Sequence, residues 1–330
     1  MTAVAAGEMS TVDDRRSRRR ALRRFRAGDR VFRVLTQGSA IAVLVILLGV
    51  MIALVHGSLP ALEKFGFGFL ISDSWNPVKQ TFGALPAIYG TVLTSLIAMV
   101  IAIPVSIGIA IFLTEICPLS IRRPIAIAIE LLAGIPSIIY GIWGLFVFVP
   151  WFQSGIQPAI INAFSGIPVL NALFAGPPYG IGLFTAGLIL AVMVLPFITS
   201  ITREVFSTVP PVLKEAAYGI GCTRWEVMRR VVIPYTSVGI IGGVMLGLGR
   251  ALGETMAVTF VIGNAHRITA SIMAPGTTIS ASIANEFTEA IGQLYTSSLI
   301  ALGLILFVIT FIVLAFARLM LMRIEQKAGR

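Results

Sequence analysis

Six apolar stretches, each long enough to cross a bilayer, constrain this chain more than any other feature. They lie at about residues 37–57, 85–113, 124–150, 181–202, 232–263 and 296–318. A helix of about 20 apolar residues spans the roughly 30 Å hydrocarbon core. In lipid such a segment must also satisfy its own backbone, which a helix does. The chain therefore reads as an all-α membrane protein with six transmembrane helices. Composition agrees, with 57% hydrophobic and 12% charged residues, against about a half and a quarter in soluble domains. The first stretch has a basic flank like a secretory signal. Its apolar core is too long for one and no small-residue cleavage site follows, so it reads as a retained anchor.

The formal net charge is +10, and its placement matters more than its size. Ten arginines lie between Arg15 and Arg33, directly before the first apolar stretch. A basic run there sets topology and touches anionic headgroups, so nucleic acid is not an expected partner. Of the 25 Lys and Arg, 21 fall in the amino-terminal tail, the 114–123 loop, the 203–231 loop and the carboxyl tail. Only Lys64, Lys79 and Arg267 fall in the alternate loops. The bias predicts a multi-pass protein of the cell (inner, cytoplasmic) membrane with both termini in the cytoplasm. Segments 58–84, 151–180 and 264–295 then face outward and are long enough to receive a soluble donor protein. Cys117, Cys222, His56 and His266 lack metal-ligand spacing and read as structural, so no metal or bound cofactor is expected.

The longest cytoplasmic loop has a pattern of its own. Pro210-Pro211 sets the start of a short helix carrying Lys214, Glu215, Ala216 and Ala217. The two alanines leave a thin face that a partner can approach. Gly221 supplies a turn, since glycine adopts positive φ without strain. Thr223 reads as the N-cap of a second amphipathic helix leading to Pro234. An ordinary helix-turn-helix with solvated charges would look similar. The spacing goes further: Glu215-Ala216-Ala217, three residues, Gly221, nine residues, then Val231-Val232-Ile233-Pro234 resembles the "EAA" loop of bacterial ABC importer permeases. That resemblance implies that this loop docks on a nucleotide-binding subunit. None of the four lysines follows a glycine, so the chain holds no Gly-Lys-Ser/Thr phosphate loop. ATP and magnesium would be used by a separate ATPase.

Charge inside a span is the best guide to a transport path. Arg250 and Glu254 lie in the fifth stretch, and the i, i+4 spacing places them on one face, close enough to pair. Two readings stand. They form a structural ion pair or bind another subunit, or Arg250 offers its fork of donors to a tetrahedral oxyanion. Gly239, Gly243 and Gly247, and Gly249 with Gly253, recur at a spacing that allows close helix packing, compatible with an interface to a second permease. Thr255, Thr91, Thr94, Ser95, Ser137 and Tyr140 are polar enough to line a path. Glu130 is expected to reach toward Arg122 or Arg123, and Pro86, Pro104, Pro136 and Pro196 to kink helices.

Gly249-Arg250-Ala251-Leu252-Gly253-Glu254-Thr255-Met256-Ala257-Val258 resembles the signature of phosphate-specific ABC permeases. Phe82-Gly83-Ala84-Leu85-Pro86, Gly134-Ile135-Pro136-Ser137 with Tyr140-Gly141, and Gly263-Asn264 are similar too. Trp75-Asn76-Pro77 in a long first outer loop favours the PstC type. The resemblance implies a type I ABC importer permease (MetI-like) core with an extra N-terminal helix. It divides the chain into a basic tail (1–33), an N-terminal helix and outer loop (34–84), the permease domain (85–320, coupling loop 203–234) and a short tail (321–330). It implies as partners a PstA-like permease, a PstB-like ATPase homodimer and a PstS-like phosphate-binding protein, with inorganic phosphate as cargo. The family's membrane-embedded Arg and Glu, implicated in phosphate passage, fall on Arg250 and Glu254. The rivals are an ABC permease for sulfate or molybdate, an ion-coupled secondary transporter, for which no clear repeat exists, and a sensory or scaffolding membrane protein.

Overall fold

A computed structural model describes the backbone of residues 2–328 and the side chains of residues 28–319 and 321–323. The side chains of the basic tail before residue 28, and those from residue 324 onward, lie outside the described residues. Among the described residues the regular structure is helical, apart from one antiparallel bridge between Asn76 and Thr81. The chain divides into two units, residues 1–56 and 57–330. The first is a stretch of one helix, α1 (Thr2–Phe65), whose last turns belong to the second.

The second unit is built from α2 (Leu85–Ile116), α3 (Leu119–Ala133), α4 (Ser137–Phe164), α5 (Leu183–Ser207), α6 (Pro211–Gly219), α7 (Arg224–Leu252), α8 (Met256–Ile262), α9 (Ile279–Glu286) and α10 (Gln293–Ala328). Among the described residues six helices are long and apolar enough to cross a membrane: Gly28–Phe65 of α1, then α2, α4, α5, α7 and Gln293–Arg323 of α10. Four coincide with expected stretches, and the one expected at 232–263 ends early, at Leu252. The third does not coincide. The run expected at 124–150 breaks at Gly134-Ile135-Pro136 into α3 and α4. Proline offers no N–H to the preceding turn and clashes with it, so the helix ends before it. α3, with 15 residues, is about 22 Å long and too short to cross. The crossing helix is α4, and residues 151–164, expected in an outer loop, complete it.

The core centres on α5, which packs most extensively against α2. Ala98, Ala102, Ala186 and Ala191 are fully or almost fully buried there, and a Cβ on Gly187 would come within 2.6 Å of Ile97. Small side chains let the two backbones approach, the packing mode that helices use where lipid removes the hydrophobic drive. Ser106 adds a hydrogen bond from its hydroxyl to the Leu195 carbonyl, 3.1 Å. The glycine ladder of α7 faces α5 as well. Cβ atoms at Gly239, Gly243 and Gly247 would meet Val205, Ile201 and Ile198 at 2.5, 2.9 and 2.8 Å. The interface expected with a second permease is, for these three glycines, an interface within the chain.

α7 passes Pro234 without breaking. A π-type turn over Met228–Val232 precedes the proline and gives its ring the room that a regular α turn denies.

Candidate functional site

The membrane-embedded charges are positioned by the end of α7. This helix stops at Leu252, Gly253 and Glu254 lie outside it, and α8 begins at Met256. Glycine at 249 and 253 weakens the helix locally. The break changes the geometry expected for the charged pair. Glu254 turns from Arg250 to the start of α8, where its Oε1 accepts a hydrogen bond from the Ala257 N–H, 3.3 Å. Among the described residues no ion pair joins Arg250 to a carboxylate, so the expected Arg250–Glu254 pairing is corrected. The i, i+4 argument required a continuous helix, and Gly253 ends it.

Arg250 instead lies over the ring of Phe197 on α5, with Cζ 4.2 Å from the ring centre. Its Nε is buried and has no hydrogen-bond partner. A buried donor left unsatisfied is costly, and a guanidinium held over a ring gives that contact none of its N–H donors. The arrangement suits an anion arriving from the side. Sequence reasoning missed Phe197, because an apolar residue on an apolar helix carries no signal until the two helices are packed.

The other expected path residues divide. Thr255 is the residue before α8, and its hydroxyl donates to the Gly253 carbonyl at 3.4 Å. Ser137 is the first residue of α4, half-buried. These two helix starts come together one turn further on: a Cβ on Gly141 would lie 2.9 Å from the Met256 carbonyl oxygen. Tyr140 is buried and donates its hydroxyl to the Leu132 carbonyl, 2.8 Å, across the Gly134–Pro136 break. Thr91 is buried, donates to the Ala87 carbonyl at 2.7 Å and accepts from the Ile279 N–H at 2.9 Å, which fixes the start of α9. Thr94 donates to the Gly90 carbonyl, whereas the hydroxyls of Ser95, Thr199 and Thr202 are buried without partners. Glu130 pairs with Arg203 on α5 rather than with Arg122 or Arg123. Arg122 turns instead to the Thr114 carbonyl, 2.9 Å.

The segment expected to couple to an ATPase is a helix-turn-helix. α6 ends at Gly219, and Gly221 takes φ +88° in open space, so positive φ alone requires glycine there. Thr223 and Glu226 form a reciprocal cap at the start of α7. The Glu226 N–H donates to Thr223 Oγ1 at 3.3 Å, and the Thr223 N–H donates to Glu226 Oε2 at 2.9 Å. Ala217 is buried beside Val227 and Met228, whereas Glu215, Ala216 and Pro234 are exposed. Lys214 ties α6 to the end of α2 through Glu115, 2.6 Å. Val212, Ile220 and Trp225 stand 70%, 84% and 61% exposed around this element. Large apolar side chains gathered on one segment mark an interaction surface.

A second polar cluster joins the segment between α1 and α2 to residues 266–295. Glu286 accepts from Trp75 Nε1 and the Tyr295 hydroxyl and contacts His266 Nε2, each at 2.7 Å. Trp75 stacks on His266 with ring centres 4.9 Å apart. Burial pushes the Glu286 carboxyl up, but the His266, Tyr295 and Trp75 contacts outweigh it and leave it below the usual range.

Residues 106–326 match the model of the family described as binding-protein-dependent transport system inner membrane component. The chain is 70% identical to the phosphate transport system permease protein PstC of Mesorhizobium japonicum over 96% of each chain. It is 58% identical to that of Pasteurella multocida over 91% of this chain and 93% of that one. Among solved structures, a chain of the bacterial alginate ABC transporter in complex with its pentasaccharide-bound periplasmic protein superposes with a TM-score of 0.59. It is 19% identical and covers 90% of this chain and 95% of that one, a likeness of fold. With six crossing helices, a charged break on α7 and these relatives, the chain belongs to the PstC family of multi-pass ABC transporter permeases.

Proposed function

We propose that this chain is a membrane-spanning subunit of an ATP-driven phosphate importer and that Arg250 is its principal contact with the anion. The observation that carries the reading is the Arg250 guanidinium. It lies in a helix that crosses the membrane, stacked on Phe197, with a buried donor unsatisfied and no carboxylate paired to it among the described residues. A cation placed so at a cost of about 2.5–3.5 kcal/mol by insertion scales serves a cavity or a pathway rather than lipid. The phosphate-transport relatives supply the cargo. Ser137 and Thr255 are the further path residues, since both are half-buried and Thr255 reaches its carbonyl only at 3.4 Å, whereas Tyr140 and Thr91 are buried and donate to backbone carbonyls at 2.8 and 2.7 Å. Glu254 sets the end of the path by capping α8.

The bias of basic residues places both termini and the α6–α7 turn in the cytoplasm. There the surface around Glu215, Ala216, Ile220 and Trp225 docks on an ATPase homodimer that binds ATP and magnesium. A second, PstA-like permease completes the path, and a phosphate-binding protein loads it from outside. ATP-driven closure of the ATPases moves α6 and α7, and the path alternates between its two openings. The chain itself makes no covalent bond and binds no cofactor.

Uptake of labelled phosphate into vesicles containing the full complex tests this. Arg250→Gln abolishes uptake and leaves the ATPase copurifying, while sulfate and molybdate in excess leave wild-type uptake unchanged. Near-normal uptake by Arg250→Gln would assign the arginine to structure, and competition by sulfate would change the cargo.

A further inference from the structure

A cavity of about 460 Å³ opens beside α6, far in sequence from Arg250. That volume lies in the range of small-ligand sites, about 300–1,000 Å³. Three helices bring four cations to it: Arg122 and Arg123 from α3, Arg203 from α5 and Lys214 from α6. Glu204 is the only carboxylate in its lining. Two of the cations are neutralised from outside the lining, Arg203 by Glu130 and Lys214 by Glu115. The other two are not. Arg122 spends one terminal nitrogen on the carbonyls of Thr114 and Cys117, at 2.9 and 3.4 Å, and its Nε is buried with no acceptor. Arg123 is exposed and, among the described residues, pairs with no acid. Leu119, at the start of α3, lies in the same lining, so the positive end of that helix adds to the field.

The positive-inside bias accounts for basic residues on this side but not for their convergence on one concavity, nor for an exposed arginine there that pairs with no acid among the described residues. A tetrahedral phosphate-class anion supplies what is missing: an acceptor for the remaining terminal nitrogen of Arg122 and charge for Arg123.

We infer that this cavity is an anion site for a phosphate group, either free phosphate or the headgroup of an anionic phospholipid. Phe206, Leu113 and Leu119 in the wall leave room for the apolar part of a lipid. An occupant would bridge α3, α5 and α6, and so set how α6 sits on the bundle. The site stands apart from the transport reading; only its effect on coupling to ATP rests on that reading.

The test uses the purified full complex with its ATPase in place. In one arm, native mass spectrometry counts phosphatidylglycerol retained against phosphatidylcholine for wild type, Arg123→Gln and Arg123→Lys. In the other, labelled inorganic phosphate is bound to the complex without its binding protein, on an Arg250→Gln background that silences the membrane site. Loss of a charge-assisted hydrogen bond weakens binding by about tenfold or more. Retained phosphatidylglycerol that Arg123→Gln loses and Arg123→Lys keeps identifies the lipid as the source. Phosphate binding with the same pattern identifies the free anion. Equal binding by wild type and Arg123→Gln in both arms overturns the site, as does equal loss in Arg123→Gln and Arg123→Lys. Because binding is read without transport, failure of phosphate uptake by the wild-type complex would remove the transport reading and leave this result standing.

Discussion

Replacing Phe197 by leucine isolates one interaction at the centre of the proposed path. Leucine keeps an apolar side chain between α5 and α7, where Gly247 already packs on Ile198, so the helix pair loses little. What it removes is the aromatic face under Arg250, 4.2 Å from Cζ. A desolvated cation–π contact contributes about 2 kcal/mol, or about 30-fold at 1.4 kcal/mol per decade. Without the ring the guanidinium loses the constraint on its plane. It can then swing toward the Glu254 carboxylate or toward water, and its edge donors no longer point at a fixed place. The initial rate of phosphate uptake by reconstituted complex should fall by up to about 30-fold. Copurification of the ATPase should be unchanged. Phe197→Tyr keeps the π face and should transport within a few-fold of wild type. If Phe197→Leu transports as well as wild type while Arg250→Gln is inactive, the stacking is incidental and the preorganisation argument fails.

Three other outcomes follow from the geometry. Gly90→Ala should destabilise the chain by about 3 kcal/mol or prevent assembly, since its Cβ would lie 1.8 Å from the Thr277 carbonyl oxygen and push α2 off the Thr91–Ile279 bond; Gly108→Ala, in open space, should be neutral in the same thermal melt. Glu286 has a folded-state pKa below its unfolded value, so its contribution is full above the unfolded carboxylate pKa, about 4.3, and is lost as pH falls through the folded value. Melting of wild type should therefore drop more steeply than that of Glu286→Gln below about pH 4.3, and parallel curves would remove the carboxylate from the account. Glu215→Lys, at an exposed position on α6, should leave the chain folded and abolish ATP-driven uptake or ATPase copurification; undiminished uptake would place the docking surface elsewhere.

The number of crossing helices was legible because length and apolarity in lipid leave one solution, a hydrogen-bonded helix. The α6–α7 turn was legible because Gly221 and Thr223 act locally: one positive φ and one N-cap need no distant partner. The breaks were not. Pro136 read as a kink inside a span, but Gly134 beside it lets the chain stop, and the crossing helix starts afresh at Ser137. The α7 glycines were legible as a packing surface, whereas the sequence contained nothing to say that their partner is α5 rather than another subunit. Several motif residues turn out to hold backbone. A Cβ on Gly83 would lie 2.2 Å from the Ser72 carbonyl oxygen, and Gly263 and Asn264 end α8 with φ of +89° and +51°.

The two broken helices also decide which polar side chains remain available. A break inside an apolar bundle frees carbonyls and N–H groups that lipid cannot satisfy, so neighbouring polar groups must do so. At the first break the Tyr140 hydroxyl takes the Leu132 carbonyl; at the second the Glu254 carboxylate takes the Ala257 N–H. Both residues carry groups able to interact with phosphate or with a cation. Both are occupied in holding backbone, at the end of α3 and at the start of α8. Arg250 sits one turn before the second break with its face on Phe197 and a donor unmet. The same break that removes its expected partner therefore leaves it as the cation free to meet an anion.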